Sequence, residues 1–210
     1  QVIEMYNKGN ADFHQMVADM AGISRKQAKT VNLGIMYGMG KKKLANVMGI
    51  DEEEATKLLS TYHEKVPFVK GIAERTSSHA KEHGVIRTWL GRKCRFDMWE
   101  PVSYGYNKAM SLQDAQKEYG SKNRLRRAFT YKALNKLIQG SSADQTKKAM
   151  IECYKEGLCP TLTVHDELCF NIQNQEQSDK IVDIMSNCIP GLKVPFEVDA
   201  ELGNNWGEVG

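Results

Sequence analysis

The residues best suited to chemistry are one imidazole and two carboxylates in a row, His165, Asp166 and Glu167. Apolar residues alternate on both sides of them, which predicts two short strands within residues 161–172, joined by a tight turn. The buried face of this hairpin is predicted to hold Leu162, Val164, Leu168, Phe170 and Ile172. Carboxylates held at the tip of a rigid hairpin suit divalent-cation binding or proton transfer. A solvated acidic turn would have the same composition.

A second set of candidate residues recurs at every fourth position of a predicted helix. The row consists of Arg25, Lys29, Leu33 and Tyr37. Ser24 with Gln27 is a capping-box signature and predicts a helix from Ser24 to about Tyr37 or Gly38. Along its axis the first and third members of the row are about 12 Å apart, comparable to a nucleoside triphosphate from terminal phosphate to sugar. The helix N-terminus also favours phosphate, although an ordinary amphipathic helix with a cationic edge would show the same pattern.

Further residues on predicted helices are suited to contact with nucleic acid. Gly34 and Gly38 each cost about 1 kcal/mol in a helix interior, which suggests that a flat or bulky group lies close to the backbone. Asn135 and Gln139 share a face as an i,i+4 pair, and amides so placed can hydrogen-bond base edges or sugars. Such a pair can equally face solvent or cap a neighbouring element.

Capping residues and hydrophobic periodicity predict the elements that hold these residues. Helices are predicted within 1–22 (interrupted at Gly9–Asn10), 41–47, 51–62, 67–84, 124–156 (with a bend or tight packing at 139–142) and 174–188. Strands are predicted at 85–89 and 93–96, which form a basic hairpin, and at 194–202. Residues 97–123 form a long excursion with a short helix near 111–119.

Composition excludes several classes of protein. The chain has 210 residues, a net charge of +3 and 41% hydrophobic residues, without an apolar run long enough to span a membrane. Five cysteines without a Cys-x-x-Cys motif favour reduced packing residues in a cytoplasmic protein. Basic residues occur in clusters, which often contact phosphate but are also common on solvated surfaces. The sequence opens without Met or a leader peptide, so we expect a processed or excised piece of a longer protein.

Three motifs together resemble DNA polymerases of family A, the bacterial DNA polymerase I and phage replicative type. They are Arg25-x-x-x-Lys29-x-x-x-Leu33-Gly34-x-x-Tyr37-Gly38, Asn135-x-x-x-Gln139-Gly140 and Val164-His165-Asp166-Glu167. Their order and approximate spacing also match, and residues 133–139 are most similar to phage members. The resemblance implies an α+β fold with a mainly helical fingers subdomain at 1–123, including a non-matching excursion at 97–123. Residues 124–210 would be the C-terminal part of an antiparallel-sheet palm with the catalytic hairpin.

The same resemblance implies which residues carry the reaction. Asp166 would bind the catalytic magnesium ions, with Glu167 beside it and His165 near the primer terminus. Lys29 would donate a proton to the leaving pyrophosphate. The chemistry would be nucleotidyl transfer from a dNTP to a primer 3′-hydroxyl, in which two metal ions act on the attacking and leaving oxygens.

Substrate binding is implied for a further set of residues. The triphosphate would be held by Arg25, Lys29 and His14. Leu33 would contact the sugar of the incoming nucleotide, and Tyr37 would stack at the templating pair. The duplex near the growing end would be contacted by Asn135, Gln139 and Gly34.

Two departures from the family pattern limit what the resemblance implies. Leu33 stands where the family usually has Phe or Tyr, which puts sugar discrimination and speed in doubt. The family's other metal-binding aspartate lies in a strand upstream of the matched region, so this chain would supply only part of the Mg²⁺ site and would be inactive alone. It would be either an excised fragment or one subunit of a naturally split enzyme. Its partners would be primer–template DNA, dNTPs and the N-terminal polymerase portion with the upstream palm strand and thumb. No membrane partner is expected, and the location would be cytoplasmic, in a bacterial host if the protein is phage-encoded.

Two other functions are compatible with the sequence. A non-catalytic DNA- or nucleotide-binding module derived from a polymerase would keep the binding residues and lack the upstream aspartate. A metal-dependent hydrolase using His165, Asp166 and Glu167 would need a second ligand cluster, which the sequence does not show.

Overall fold

The computed structural model of the chain describes residues 2–9, 12–103, 107–120 and 124–209. Asn10 of the predicted helix break, and residues 104–106 and 121–123 of the predicted excursion, lie outside the described residues. The chain divides into two compact units. Asp12–Gly140 form the large unit, and the residues before Asp12 and after Gly140 form the small unit. The functional division predicted between residues 123 and 124 stays a prediction.

Helices dominate the described residues, together with three two-stranded antiparallel sheets. The helices are α1 (Val2–Asn7), α2 (Phe13–Ala21), α3 (Arg25–Met36), α4 (Lys41–Met48), α5 (Glu52–Lys65), α6 (Pro67–His83), α7 (Leu112–Tyr119), α8 (Ala133–Lys155) and α9 (Gln175–Asn187). The strands are β1 (Val85–Arg87), β2 (Lys93–Arg95), β3 (Trp99–Pro101), β4 (Leu125–Arg127), β5 (Pro160–Val164) and β6 (Glu167–Phe170), paired in sequence order. Among the described helices, none is long and apolar enough to cross a membrane. The predicted α+β class is confirmed.

Side-chain caps begin the helices of the large unit where the sequence predicts them. Ser24 Oγ accepts from the Gln27 backbone N–H at 3.2 Å while Gln27 Oε1 accepts from the Ser24 N–H at 2.9 Å, which completes the capping box of α3. Asp51 Oδ1 accepts from the Glu54 N–H at 2.7 Å and begins α5. Gly84 ends α6 with a φ of 69°, as a left-handed cap residue does.

The core of the large unit forms where α2, α3, α4, α5 and the start of α6 bury their apolar faces together. Its fully buried side chains include Val17, Ala28, Val31, Leu44, Ala55, Tyr62 and Val66. Ala28 and Val31 bring the inner face of α3 into this core. The opposite face of α3 is therefore left on the surface.

The segment before α8 differs from the prediction. Residues 124–132 were expected to be helical, but Leu125–Arg127 form β4 against β3 and Thr130–Lys132 form a 3-10 turn. Cross-strand contacts favour the strand: Arg126 Nε lies 2.8 Å from Glu100 Oε1, and the Arg127 guanidinium lies 4.6 Å from the centre of the Trp99 ring. Such pairing between distant residues outweighs local helix propensity.

The glycine in the Gln139–Ser142 segment reflects tight packing and not a break in the helix. Helix α8 runs continuously through it. A Cβ on Gly140 would lie 2.8 Å from Cγ2 of Thr88, a buried residue that follows β1. Arg92 Nη2 also donates to the Gly140 carbonyl at 2.6 Å. Glycine is thus required where the β1–β2 hairpin packs on α8.

Gly140→Ala should therefore destabilise the protein by about 1–3 kcal/mol, although Ala is the better helix former by about 1 kcal/mol. Urea unfolding monitored by circular dichroism measures the change. Gly71→Ala in α6 is the matched control, because its added Cβ would meet only Arg75 Nη1 at 3.5 Å; it should be neutral or stabilising. Thr88→Ser removes the opposing methyl and should rescue Gly140→Ala. Equal gains in stability from both glycine substitutions would contradict this account.

The core of the small unit lies between the C-terminal half of α8, the β5–β6 hairpin and α9. Its buried side chains are Ala149, Cys153, Leu158, Ile181 and Met185, with Leu168, Phe170 and Ile172 packed against them. The hairpin and the helix capped by Asn174 are confirmed. The buried face of the hairpin is narrower than predicted, since Leu162 is 40% exposed. An irregularity between Pro160 and Leu162 shifts the register of β5, and such shifts change which side chains face the core.

The last predicted strand is wrong. Residues 195–203 have no regular secondary structure, and Val198 packs against the core of the small unit without strand pairing. A strand needs a hydrogen-bonded neighbour. Among the described residues no strand is paired with this segment.

Candidate active site

The predicted row on α3 lies on the exposed face of the helix. Arg25 and Lys29 are exposed at the N-terminal end. Leu33 is 41% exposed and Tyr37 is 52% exposed, which is unusual for large apolar side chains beside a well-formed core. The row therefore presents two cations, followed by Leu33 and Tyr37, to solvent.

Asp12 connects α2 to the cationic end of the row. Its Oδ1 accepts from the backbone N–H groups of His14 and Gln15, at 2.9 and 3.0 Å. Its Oδ2 accepts from Arg25 Nε at 2.6 Å. The backbone bond from Gln15 and the side-chain bond from Arg25 lower the pKa of Asp12. The carboxylate is thus ionised at neutral pH and holds the Arg25 side chain against the start of α2.

His14 lies beside the same cations. Burial lowers its pKa, and the positive charges of Arg25 and Lys29 act in the same direction while Asp12 opposes them. Its Nδ1 lies 2.9 Å from Nδ2 of Asn32, a residue of α3 that is 1% exposed. The structure therefore brings three of the predicted triphosphate-binding residues together, with His14 as a neutral imidazole at neutral pH.

The apolar end of the row contacts α8. Gln139 Nε2 donates a hydrogen bond to the Tyr37 hydroxyl oxygen, so two residues predicted from separate motifs meet. Asn135, one turn earlier on α8, is half-buried. The Tyr37 side chain therefore lies beside the helix face that carries the Asn135 and Gln139 amides.

Both glycines of the Tyr37 segment have close neighbours within the protein. A Cβ on Gly34 would lie 3.0 Å from Sδ of Met39, and one on Gly38 would lie 3.0 Å from the Tyr131 ring. Gly38 also has a φ of 70°, which favours glycine. The two glycines therefore allow side chains to lie close to the backbone of this segment, and these side chains are Met39 and Tyr131.

The acidic hairpin belongs to the small unit. Val164 pairs with Glu167, so His165 and Asp166 form a two-residue loop and Glu167 begins β6 rather than lying at the tip. His165 has a φ of 54°, the left-handed conformation that such hairpin loops need. All three side chains are exposed, which leaves the Asp166 carboxylate accessible to ligands.

This hairpin fits a magnesium ion only in part. Asp166 and Glu167 carry the hard oxygen ligands that Mg²⁺ prefers. Within the part of the chain that the structure describes, no group of three or more His, Cys, Asp or Glu side chains could hold a metal. Further ligands would have to come from elsewhere.

Two residues of this site, Asp12 and Asn32, received no role from the sequence. Asp12 precedes an apolar helical stretch, and an Asp in that place is a typical N-cap. Asn32 follows Val31 on the inner face of α3, where a polar residue within a buried helix face indicates a specific partner. The sequence position of each residue suggests a local structural role but does not identify its hydrogen-bond partner on another helix.

Comparison with known proteins identifies the family. The sequence profile of DNA polymerase family A matches residues 1–208. The chain belongs to DNA polymerase family A. This confirms the family that the three motifs indicate.

Named relatives of this family A chain include phage and bacterial enzymes. It is 35% identical over 235 residues to a DNA-directed DNA polymerase of Pseudomonas phage M6, covering 96% of this chain and 32% of the phage protein. It is 31% identical over 232 residues to DNA polymerase I of Rhizobium leguminosarum, covering 99% of this chain and 21% of the bacterial protein. The chain thus spans a third or less of the length of these curated relatives.

A solved polymerase structure has a similar fold. It is the POL domain of Pol1 from M. smegmatis, in complex with DNA primer–template and dNTP. The two share 29% sequence identity with a TM-score of 0.72, and the match covers 93% of this chain and 34% of the other. The predicted polymerase fold is therefore confirmed for this chain.

Proposed function

We propose that this chain supplies the dNTP-binding fingers and the catalytic hairpin of a template-directed DNA polymerase. The observation that carries the proposal is that Asp12 bonds both the His14 backbone N–H and the Arg25 side chain. Lys29, Leu33 and Tyr37 follow Arg25 along the exposed row of α3. The complex of the mycobacterial POL domain with primer–template DNA and dNTP supports the same substrates here.

The cationic end of the row would bind the triphosphate. Arg25 and Lys29 supply positive charge near the N-terminus of α3, where the helix dipole also favours anions. Arg25 is already oriented by Asp12. No carboxylate among the described residues pairs with Lys29, which leaves its ammonium group available to the phosphates and, after bond cleavage, to the leaving pyrophosphate as a proton donor.

The remaining residues would hold the nucleoside and the duplex. Leu33 would pack against the sugar, and Tyr37 would stack at the templating pair. Gln139, already bonded to Tyr37, would contact the duplex near the growing end together with Asn135. Gly34, the third residue predicted to contact the duplex, is buried against Met39 in this structure.

The β5–β6 hairpin would supply carboxylate ligands to the catalytic magnesium ions. Family A DNA polymerases are generally metal-dependent, and Asp166 would hold Mg²⁺ with Glu167 beside it. Bound magnesium would activate the primer hydroxyl and neutralise the charge on the leaving oxygen. His165, the other residue of the loop, would lie near the primer terminus. The missing ligands would come from a polymerase portion outside these 210 residues, with its palm strand and thumb.

Complementation tests the proposed function. The chain is mixed with a partner that supplies the upstream palm strand and thumb, and primer extension is measured with Mg²⁺ and dNTPs. We expect extension by the mixture and none by either part alone. The corresponding portions of the Pseudomonas phage M6 polymerase, split at the same place, serve as the positive control. If the control pair extends the primer and this mixture binds DNA without extending it, the chain is a non-catalytic binding module.

A further inference from the structure

The proposed function leaves Asn32 unexplained. Asparagine is a poor helix former, yet it occupies a position of α3 that is 1% exposed. Its Oδ1 is buried without a hydrogen-bond partner among the described residues. An unpaired buried amide oxygen is costly, so packing alone does not account for an Asn at this position.

The nitrogen of the Asn32 amide contacts His14, so this contact crosses from α3 to α2. Asn32 Nδ2 lies 2.9 Å from Nδ1 of His14. An amide nitrogen only donates, so Nδ1 must be the acceptor and the proton of a neutral imidazole must lie on Nε2. The contact therefore selects one of the two tautomers of His14.

The tautomer determines whether His14 Nε2 can donate a hydrogen bond to a phosphate oxygen. Burial lowers the pKa of the imidazole, and Arg25 and Lys29 act in the same direction against the opposing charge of Asp12, so a neutral ring is the form present at neutral pH. A neutral ring with its proton on Nδ1 would present a lone pair at Nε2 and repel phosphate oxygens. With the proton on Nε2, the ring donates a hydrogen bond without adding a third cation.

We infer that Asn32 is a positioning residue: by donating from Nδ2 to Nδ1 of His14, it presents Nε2–H as a hydrogen-bond donor to the triphosphate held by Arg25 and Lys29. This inference rests on the proposed triphosphate surface. It adds that Asn32, on the buried face of α3, sets the tautomer of His14, while the exposed face of the same helix carries Arg25 and Lys29. Asn32 and Lys29 are three residues apart on one helix, so one rigid element sets both groups.

Nitrogen-15 spectroscopy of the full chain, labelled at the histidine rings, tests the tautomer directly. At about pH 8, above the ordinary histidine pKa, two-bond ¹H–¹⁵N correlations distinguish Nδ1–H from Nε2–H. The chain has five histidines, and loss of one set of signals in His14→Gln assigns the ring of interest. We expect Nε2–H in the wild type, a mixture of tautomers in Asn32→Leu, and a protonated Nδ1 in Asn32→Asp, whose carboxylate can only accept.

Binding of inorganic triphosphate, measured by calorimetry, tests the consequence. Asn32→Leu should weaken binding about tenfold through loss of a hydrogen bond to a charged group. Val31→Ala is the control for packing, since Val31 is also fully buried on α3 but does not bond His14. It should lower stability while leaving both the tautomer and triphosphate binding unchanged.

Each result supports or overturns the inference. Nδ1–H in the wild type would overturn it, even if Asn32→Leu failed to fold. Unchanged triphosphate binding by a folded Asn32→Leu, or a tautomer change in Val31→Ala, would do the same. If the wild type has Nε2–H but does not bind triphosphate, the proposed triphosphate surface fails and the inference fails with it. The spectroscopic result thus separates failure of the positioning step from failure of the proposed function.

Discussion

Replacing Asp166 by Ala should abolish primer extension by the complemented polymerase, with a loss of at least about 10³-fold in single-turnover rate. The carboxylate lies in an exposed two-residue loop, where it is proposed to hold the magnesium ions. Metal stabilisation of transition-state charge contributes several kcal/mol, and each 1.36 kcal/mol corresponds to about tenfold in rate. Rapid-quench extension of a labelled primer by one nucleotide measures the loss.

Folding should be unaffected by this substitution, which makes the rate interpretable. Among the described residues, His165 and Phe129 are the non-glycine residues with positive φ, so Asp166 is in a backbone conformation that Ala also adopts. Asp166→Asn, which keeps the size and removes the charge, should lose activity to a similar degree. Asp199→Ala removes an exposed carboxylate elsewhere in the small unit and should extend the primer normally. Extension retained by Asp166→Ala would remove the catalytic assignment of the hairpin.

Features set by neighbouring residues could be predicted from the sequence. The helix starts at Ser24, Asp51 and Asn174 are correct because a side chain caps backbone N–H groups within three residues of itself. The β5–β6 hairpin is correct because its two strands are joined by only His165 and Asp166. The exposed row on α3 could also be predicted, because its residues are four positions apart and a helix places such residues on one face.

Features set by distant partners could not be predicted. β4 forms because it pairs with β3, more than twenty residues earlier, and periodicity alone makes it look helical. Residues 194–202 alternate as a strand does, but strand formation depends on a neighbour that no local pattern specifies. At the site, the bond between Asn32 and His14 joins two helices, and the sequence shows only that each residue is polar.

Lys29 is the site residue whose removal should separate nucleotide binding from DNA binding. Lys29→Ala should lower kcat/KM for the dNTP by about 10²- to 10³-fold, because a charge-assisted phosphate contact and the proposed proton donor are lost together. The dissociation constant for primer–template DNA should change by less than about twofold. Lys29 is exposed, and Ala is the best helix former, so the stability of α3 should not fall. Single-nucleotide incorporation and fluorescence anisotropy measure the two quantities.

Lys42→Ala is the matched control, because Lys42 is an exposed lysine on the adjacent helix α4 and its loss changes the net charge equally. If the row on α3 binds the triphosphate specifically, Lys42→Ala should leave kcat/KM within about twofold of the wild type, since charges on a solvated surface are screened by salt. Equal losses of dNTP use and DNA binding in Lys29→Ala would instead indicate a general phosphate-binding face. The two lysines differ in position and not in chemistry, so a difference between the variants can come only from where α3 places the ammonium group relative to Arg25 and His14.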